Sequence, residues 1–363
     1  MLQWSYNVNP REGGNSTMTV GQRILRARSA AGLSLRELAE AVGVSHTAIA
    51  NYEAGRDNPS SGTLLKLATA LNVQLEYFFR PARVDLGQVV PVYRKRSSLT
   101  ETGERQTLAR VLGWLEQYLT VEDVLAIDRH RFQQPDGFPF VIAQLADVEK
   151  AAVALREKWN LGLDPIENLT ELLEDKGIKV GLVEADDDFD ACTFSVGPGD
   201  LLRFVAVKQG LPGDRQRFNL AHELGHSLLV VADDVDVEKA AHRFAGAFLV
   251  PAPTVIDELG VKRHSLDLRE LHLLKAKYGL SMQAWVYRAK DLGIITQRTF
   301  GTLFGAFRKR GWDKVEPGKQ YPAETPTRME RLVRRALAED LISEIRASEL
   351  LGQPLREFAE EVA

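Results

Sequence analysis

The stretch Arg217–Val231, RFNLAHELGHSLLVV, restricts what this chain can fold into more than any other. His222, Glu223 and His226 form the pattern His-Glu-x-x-His, and Phe218, Ala221, Gly225, Leu228 and Leu229 recur around it at helical spacing. Helical positions four apart lie one turn above each other on one face, so the two imidazoles converge on one point. Neutral imidazole suits zinc, which in catalytic sites takes three protein ligands and keeps a fourth position for water. Glu223 projects beside the first His, where it can take a proton from that water instead of ligating the metal. Two histidines on a solvated helix surface would show the same spacing, but this segment is apolar on both sides of the motif. Gly225 leaves room there for a close neighbour.

Two histidines leave such a site one ligand short. Downstream, Asp234–Pro251 reads DVDVEKAAHRFAGAFLVP, with Ala241, Phe244, Ala245, Phe248 and Leu249 at helical spacing and Pro251 closing the helix. Glu238 stands in its first turn, where a carboxylate on a second, packed helix completes a two-His-one-Glu set. His242 lies one turn later, and three roles are open to it: ligand, orienting partner of a ligand, or transition-state donor.

Arg217, Phe218, Ala221, His222, Glu223, Leu224, Gly225 and His226, followed by Glu238, Ala241, Phe244, Ala245 and Pro251, resemble the ImmA/IrrE family of metallopeptidases. The resemblance implies a zincin-like domain in which His222, His226 and Glu238 hold zinc and Glu223 is the general base. It further implies an endopeptidase whose substrate is a repressor-type protein, cut in a stress response or in the regulation of a mobile element. Three positions depart from the family: Ala240 stands where many members carry a second acid, His242 where many carry Asn, and Phe248 where Leu is usual. None of these removes a ligand.

A chain of 363 residues has room for two or three domains, each with its own core. With 44% hydrophobic and 26% charged residues it has the composition of a soluble protein, and it holds no apolar run of spanning length. Residues 1–17 lack a basic start followed by an apolar core, and the single Cys192 forbids an internal disulfide, so a reducing, cytoplasmic setting is expected. A net charge of -4 does not advertise nucleic acid, although a binding footprint can be confined to one domain.

Residues 1–17 read as a disordered leader and Met18 as an alternative start. Over residues 18–80, short helices are separated by Gly32, Ser34, Gly43, Ser45 and Ser60, with Ser34 and Glu37 spaced as a capping box. A helix, a tight turn with Gly and a second short helix is the helix-turn-helix signature. Leu38, Ala39, Val44, Ile49, Tyr52, Glu53, Gly55 and Pro59 give this segment a resemblance to the XRE family of DNA-binding domains. The first residues of a recognition helix meet base edges, which here are Ser45, His46, Thr47 and Ala48, with Asn51 one turn on. Asn can bond an adenine edge twice and Thr can touch a thymine methyl. Gln22, Arg23, Arg36 and Arg56 are candidates for phosphate contacts.

Residues 81–145 read as a linker with a short basic run, Arg94–Arg96, and a long amphipathic helix around Leu108–Leu119, whose apolar face has either the next domain or a second copy to pack on. Residues 146–260 are the expected metallopeptidase core: two helices, a strand at IKVGLVEA, a hairpin turning at GPGD and the two motif helices. Residues 261–363 are a helical C-terminal region in which His264, His272, Tyr278 and Tyr287 are the polar residues able to steady an oxyanion. The acidic run Asp186–Asp190 reads as a solvated turn rather than a cation site, and Cys192 as packed rather than reactive.

The expected fold class is therefore α+β, mostly helical. The expected function is a DNA-binding transcriptional regulator carrying a zinc-dependent endopeptidase that cuts a repressor-type protein, in trans or in its own chain. Double-stranded operator DNA and a protein substrate are the expected partners, and paired half-sites favour a homodimer. Manganese is the alternative metal. Two other readings compete: a repressor- or antitoxin-like regulator whose zinc domain is a sensor, and a helix-turn-helix used to dock a protein.

Overall fold

A computed structural model describes residues 18–80, 89–91, 101–127, 131–196 and 202–360. The expected leader, the basic run Arg94–Arg96 and the GPGD turn lie outside these residues.

The N-terminal module consists of α1 (Val20–Ala31), α2 (Leu35–Val42), α3 (His46–Glu53) and α4 (Ser61–Ala70), closed by a 3-10 turn, Leu75–Phe79. Side chains set where these helices begin. Thr19 with Gln22, and Ser34 with Glu37, form reciprocal capping boxes, and Ser45 and Ser60 cap α3 and α4. Gly32 and Gly43 end α1 and α2 at φ 72° and 78°, which glycine adopts without a Cβ clash. Ile24, Leu38, Val42, Ile49, Leu67 and Phe78 meet in a single core. Burying each such side chain contributes about 1.5–3 kcal/mol, which holds together helices too short to persist alone.

The long helix α5 (Glu101–Val124) follows. The face of α5 that had two candidate partners packs on the sheet: Val111, Leu115 and Leu119 meet Phe194, Phe204 and Ala206. Gly181 makes room for it, since a Cβ there would lie 2.5 Å from the Trp114 ring. Further along α5, Tyr118 and Val121 join Leu332, Val333, Ala347 and Leu350 near the C-terminus. Towards the N-terminal module the helix presents Glu116, which bridges Arg23 at 2.8 Å and Arg26 at 2.7 Å.

The four-stranded sheet runs β1 (Val89–Pro91), β4 (Ala191–Val196), β5 (Leu202–Lys208), β3 (Ile178–Val183). β4 and β5 form the expected antiparallel pair, and β3 runs parallel to β5. A second sheet pairs β2 (Phe140–Ile142) with β6 (Leu229–Val231) in parallel. Three-residue strands such as these carry too little alternation to be read from sequence.

Around the sheet lie α6 (Asp147–Lys158), α7 (Leu169–Asp175), α8 (Gly213–Leu228), α9 (Val237–Leu249), α10 (Ala252–Leu259), α11 (Leu268–Tyr278), α12 (Met282–Asp291) and α13 (Gln297–Lys309). Their apolar cluster joins Leu228, Phe244 and Phe248 to Leu271, Trp285 and Phe307, so packing is continuous across residue 260. α14 (Arg328–Ala338), α15 (Glu344–Leu351) and α16 (Leu355–Glu360) complete the chain. The segment before α14 is tied to α8 by Glu324, whose carboxylate accepts from buried Arg217 and from the Leu169 and Thr170 amides. The molecule is thus α+β and mostly helical, and among the described residues no helix is long and apolar enough to cross a membrane.

Candidate functional site

α8 carries His222, Glu223 and His226, and α9 crosses it closely enough to bring Glu238 alongside. Gly225 permits that crossing: a Cβ there would sit 3.0 Å from Phe244 Cδ1 and 3.4 Å from Ala241 Cα. Asp236 begins α9 by accepting from the Lys239 amide, which fixes Glu238 in the first turn.

The two His Nε2 atoms lie 2.9 Å apart. Glu238 Oε2 is 3.4 Å from His222 Nε2, and Glu238 Oε1 is 3.5 Å from His226 Nε2. A tetrahedral zinc with bonds of about 2.0–2.1 Å separates its ligand atoms by about 3.3 Å, so these three separations are close to the edges of one coordination sphere. Two imidazoles and one carboxylate are also the donor types that a catalytic zinc prefers. The donor set therefore fits the metal.

His242 falls outside the cluster of donor atoms that the other three form within 4.8 Å. Its Nδ1 lies 2.7 Å from the Glu238 carbonyl oxygen, and its ring packs against that of His222 with centroids 4.4 Å apart. That arrangement favours the orienting role among the three open to it. Glu223 turns towards the sheet, where its Oε2 accepts from Thr193 Oγ1 at 2.7 Å. Sequence reasoning missed Thr193, because nothing in a strand's alternation marks which hydroxyl will face a helix laid across it.

Cys192, next to Thr193, is buried, and burial followed by the charge of Glu223 pushes its thiol well above the ordinary range. It is packed, as expected. The acidic run is drawn into ion pairs, Asp187 with Lys208 and Asp190 with Arg215. Of the aromatic and imidazole candidates beyond α10, Tyr278 donates to Glu258 at 2.6 Å, Tyr287 packs on Phe300 and Phe304, and His272 lies against Gly318. None belongs to the metal-ligand cluster among the described residues. Beside His226, by contrast, Gly225, Leu229, Val231, Val237 and Ala241 line a small, mainly apolar hollow.

In the N-terminal module, His46 and Thr47 stand exposed on the first turn of α3, after the exposed cap Ser45, and Asn51 is half-buried one turn on. Ser45 spends its hydroxyl oxygen accepting from the Ala48 amide. Arg36 and Arg56 are exposed, and exposed Gln22 uses Oε1 to cap α1. Arg23 is a correction to the sequence reading. It is buried, donates to the Arg80 carbonyl and pairs with Glu116, so it holds the module to α5 and cannot reach a phosphate. An alternation of buried and exposed positions around α1 carried that information, but the partner 93 residues away did not show locally.

Residues 23–78 match the helix-turn-helix family, and residues 182–290 match the IrrE N-terminal-like domain. Over 60 residues, 16% of this chain, the sequence is 37% identical to the HTH-type transcriptional regulator ImmR of Bacillus subtilis, covering 47% of that protein. It is 43% identical over 60 residues to a transcriptional regulator of Rhodospirillum rubrum, again 16% of this chain and 56% of the relative. A third relative, an HTH-type transcriptional regulator of Sinorhizobium medicae, is 28% identical over 138 residues, 38% of this chain and 88% of its own length. The chain thus spans about half the length of the first two of these relatives.

Proposed function

We propose that this chain, a helix-turn-helix module joined in one polypeptide to an IrrE N-terminal-like domain, is a DNA-binding transcriptional regulator that carries a metal-dependent endopeptidase centre. One observation carries the enzymatic half: His222, His226 and Glu238 bring donor atoms within 4.8 Å of one another, with Glu223 next to the first of them. His222, His226 and Glu238 would hold zinc.

Bound there, zinc would supply a Lewis acid that polarises a scissile carbonyl and lowers the pKa of water to about 7. The protein's own share falls to four side chains. Glu223 accepts the proton of the attacking water and hands it to the leaving amine. Thr193 holds one oxygen of that carboxylate, which leaves the other to carry the proton. His242 fixes the His222 ring from one side. Thr193 and His242 thereby keep base and ligand in place before substrate arrives, which is where a preorganised site gains its rate.

For the DNA half, Thr47 and Asn51 are the base-reading residues, with His46 beside them on the exposed first turn of α3. Ser45 contributes through the start of that helix, and Gln22, Arg36 and Arg56 contact phosphates. A homodimer on paired half-sites is the assembly this geometry suits. The substrate is a repressor-type protein, in trans or the chain itself, and the setting is the cytoplasm.

The test uses a peptide library derived from a whole proteome, so that no substrate need be known. Zinc-loaded wild type should generate new peptide termini by mass spectrometry, and Glu223→Gln should bind the same zinc while its turnover falls at least about 10³-fold. A Glu223→Gln chain that cleaves as well as wild type would remove Glu223 from the reaction.

A further inference from the structure

We propose that the outer edge of β4 is the site that takes an extended peptide strand, and that the chain's own Val89–Pro91 occupy it as an internal competitor. The proposal deepens the peptidase reading and rests on it for what the edge is used for. β4 has β5 along one side, so without β1 its other side would be an open row of backbone N–H and C=O groups. That strand lies over the centre, because its Thr193 reaches the general base. An extended peptide added to such an edge gains main-chain hydrogen bonds whatever its sequence, and so is delivered backbone-first to the groups below.

The register shows where the occupant sits. Val89 opposes Val196, Val90 opposes Ser195 and Pro91 opposes Phe194, in antiparallel sense. Each step along the linker therefore moves one residue back along β4 towards Thr193, and Pro91 stands opposite that residue's neighbour. The occupied positions are those a substrate strand approaching Glu223 would need.

The occupant is tethered at both ends and weakly held between them. Before it, the Arg80 carbonyl accepts from Arg23 and the Arg80 guanidinium pairs with Glu349; after it, α5 begins at Glu101 and is clamped to α1 through Glu116. Tethering keeps the strand at a high effective concentration over its edge. Only three residues pair, however, and Pro91 has no N–H to give to a ladder. A strand of that kind closes the edge without closing it permanently. A substrate meets an affinity lowered by the fraction of chains whose edge is occupied.

The test reads binding on the full-length Glu223→Gln chain, where turnover cannot interfere. The probe is a fluorescein-labelled peptide of residues 87–94, GQVVPVYR, followed by anisotropy. Val89→Gly with Val90→Gly, which lowers the strand propensity of the tether, should bind the probe at least about tenfold more tightly than the parent. Val90→Cys with Ser195→Cys joins directly opposed positions. Oxidised, that chain should lose the probe, and reduction should restore binding, which separates a closed edge from a misfolded one. Equal affinity in the parent and the glycine variant, equal affinity in the oxidised and reduced forms, or a probe that binds no form would overturn the proposal. A wild type without peptidase activity would sink the reading beneath it and leave this binding measurement standing.

Discussion

At Gly225 a missing side chain decides how near α9 can come to α8. With alanine there, the Cβ meets Phe244 Cδ1 at 3.0 Å and Ala241 Cα at 3.4 Å, and backbone on α9 has little room to give. Gly225→Ala should cost about 1–3 kcal/mol of stability and shift Glu238 away from the two imidazoles. Calorimetry and a zinc titration would read both, and an unchanged melting temperature with unchanged zinc affinity would contradict the account. His242 acts more gently. Its ring lies on that of His222, so His242→Ala should weaken zinc binding by about 10- to 100-fold, the effect expected when a ligand loses the group that orients it. A complete loss of metal would instead make His242 a ligand.

The element that places the site from behind is α6. Its Glu149 accepts from Arg288 of α12 at 2.6 Å and from Arg243 of α9 at 3.2 Å, joining three helices at one carboxylate. Burial alone would raise the carboxyl pKa, but the two guanidinium groups outweigh it and hold the pKa below the usual 4.5. The folded state therefore binds this proton less readily than the unfolded chain. The contribution is full above pH about 4.5 and is lost as the pH falls through the lowered value. Glu149→Gln should be less stable than wild type at pH 7, with the gap narrowing towards pH 3 in acid-dependent melts. A gap independent of pH would show that the carboxylate's charge plays no part.

The same scale shows what could be read from sequence. Helix starts were legible where a side chain closes its own cap, as at Ser34 with Glu37, and the β4–β5 pair where alternation ran for six or seven residues. The three-residue strands were not legible, since pairing over so short a span is decided by what lies opposite. The metal cluster was legible because two ligands are fixed by helical spacing and the third sits in a capped first turn. Thr193 was not, because its partner is 30 residues on and approaches from another layer.

Across the whole molecule, α5 is the member to which both halves are fastened. It carries Glu116 into a pair of buried guanidinium groups on α1 and lays Leu115 and Leu119 on the sheet that overlies the centre. Glu116→Ala would leave Arg23 and Arg26 without their carboxylate, and losing one partner of a buried pair costs about 3–5 kcal/mol. The N-terminal module should then part from α5 while its own core survives, seen as a larger radius of gyration in small-angle scattering with little loss of helical signal. An unchanged radius would mean that the remaining contacts suffice.

The centre itself is tested most directly by X-ray absorption at the zinc edge, with metal stoichiometry, on wild type and on His226→Ala. The account predicts one zinc per chain with nitrogen and oxygen ligands at about 2.0–2.2 Å, and a stoichiometry near zero for His226→Ala. A wild type that takes up no zinc, or a His226→Ala chain that holds it with the same ligand shell, would contradict it.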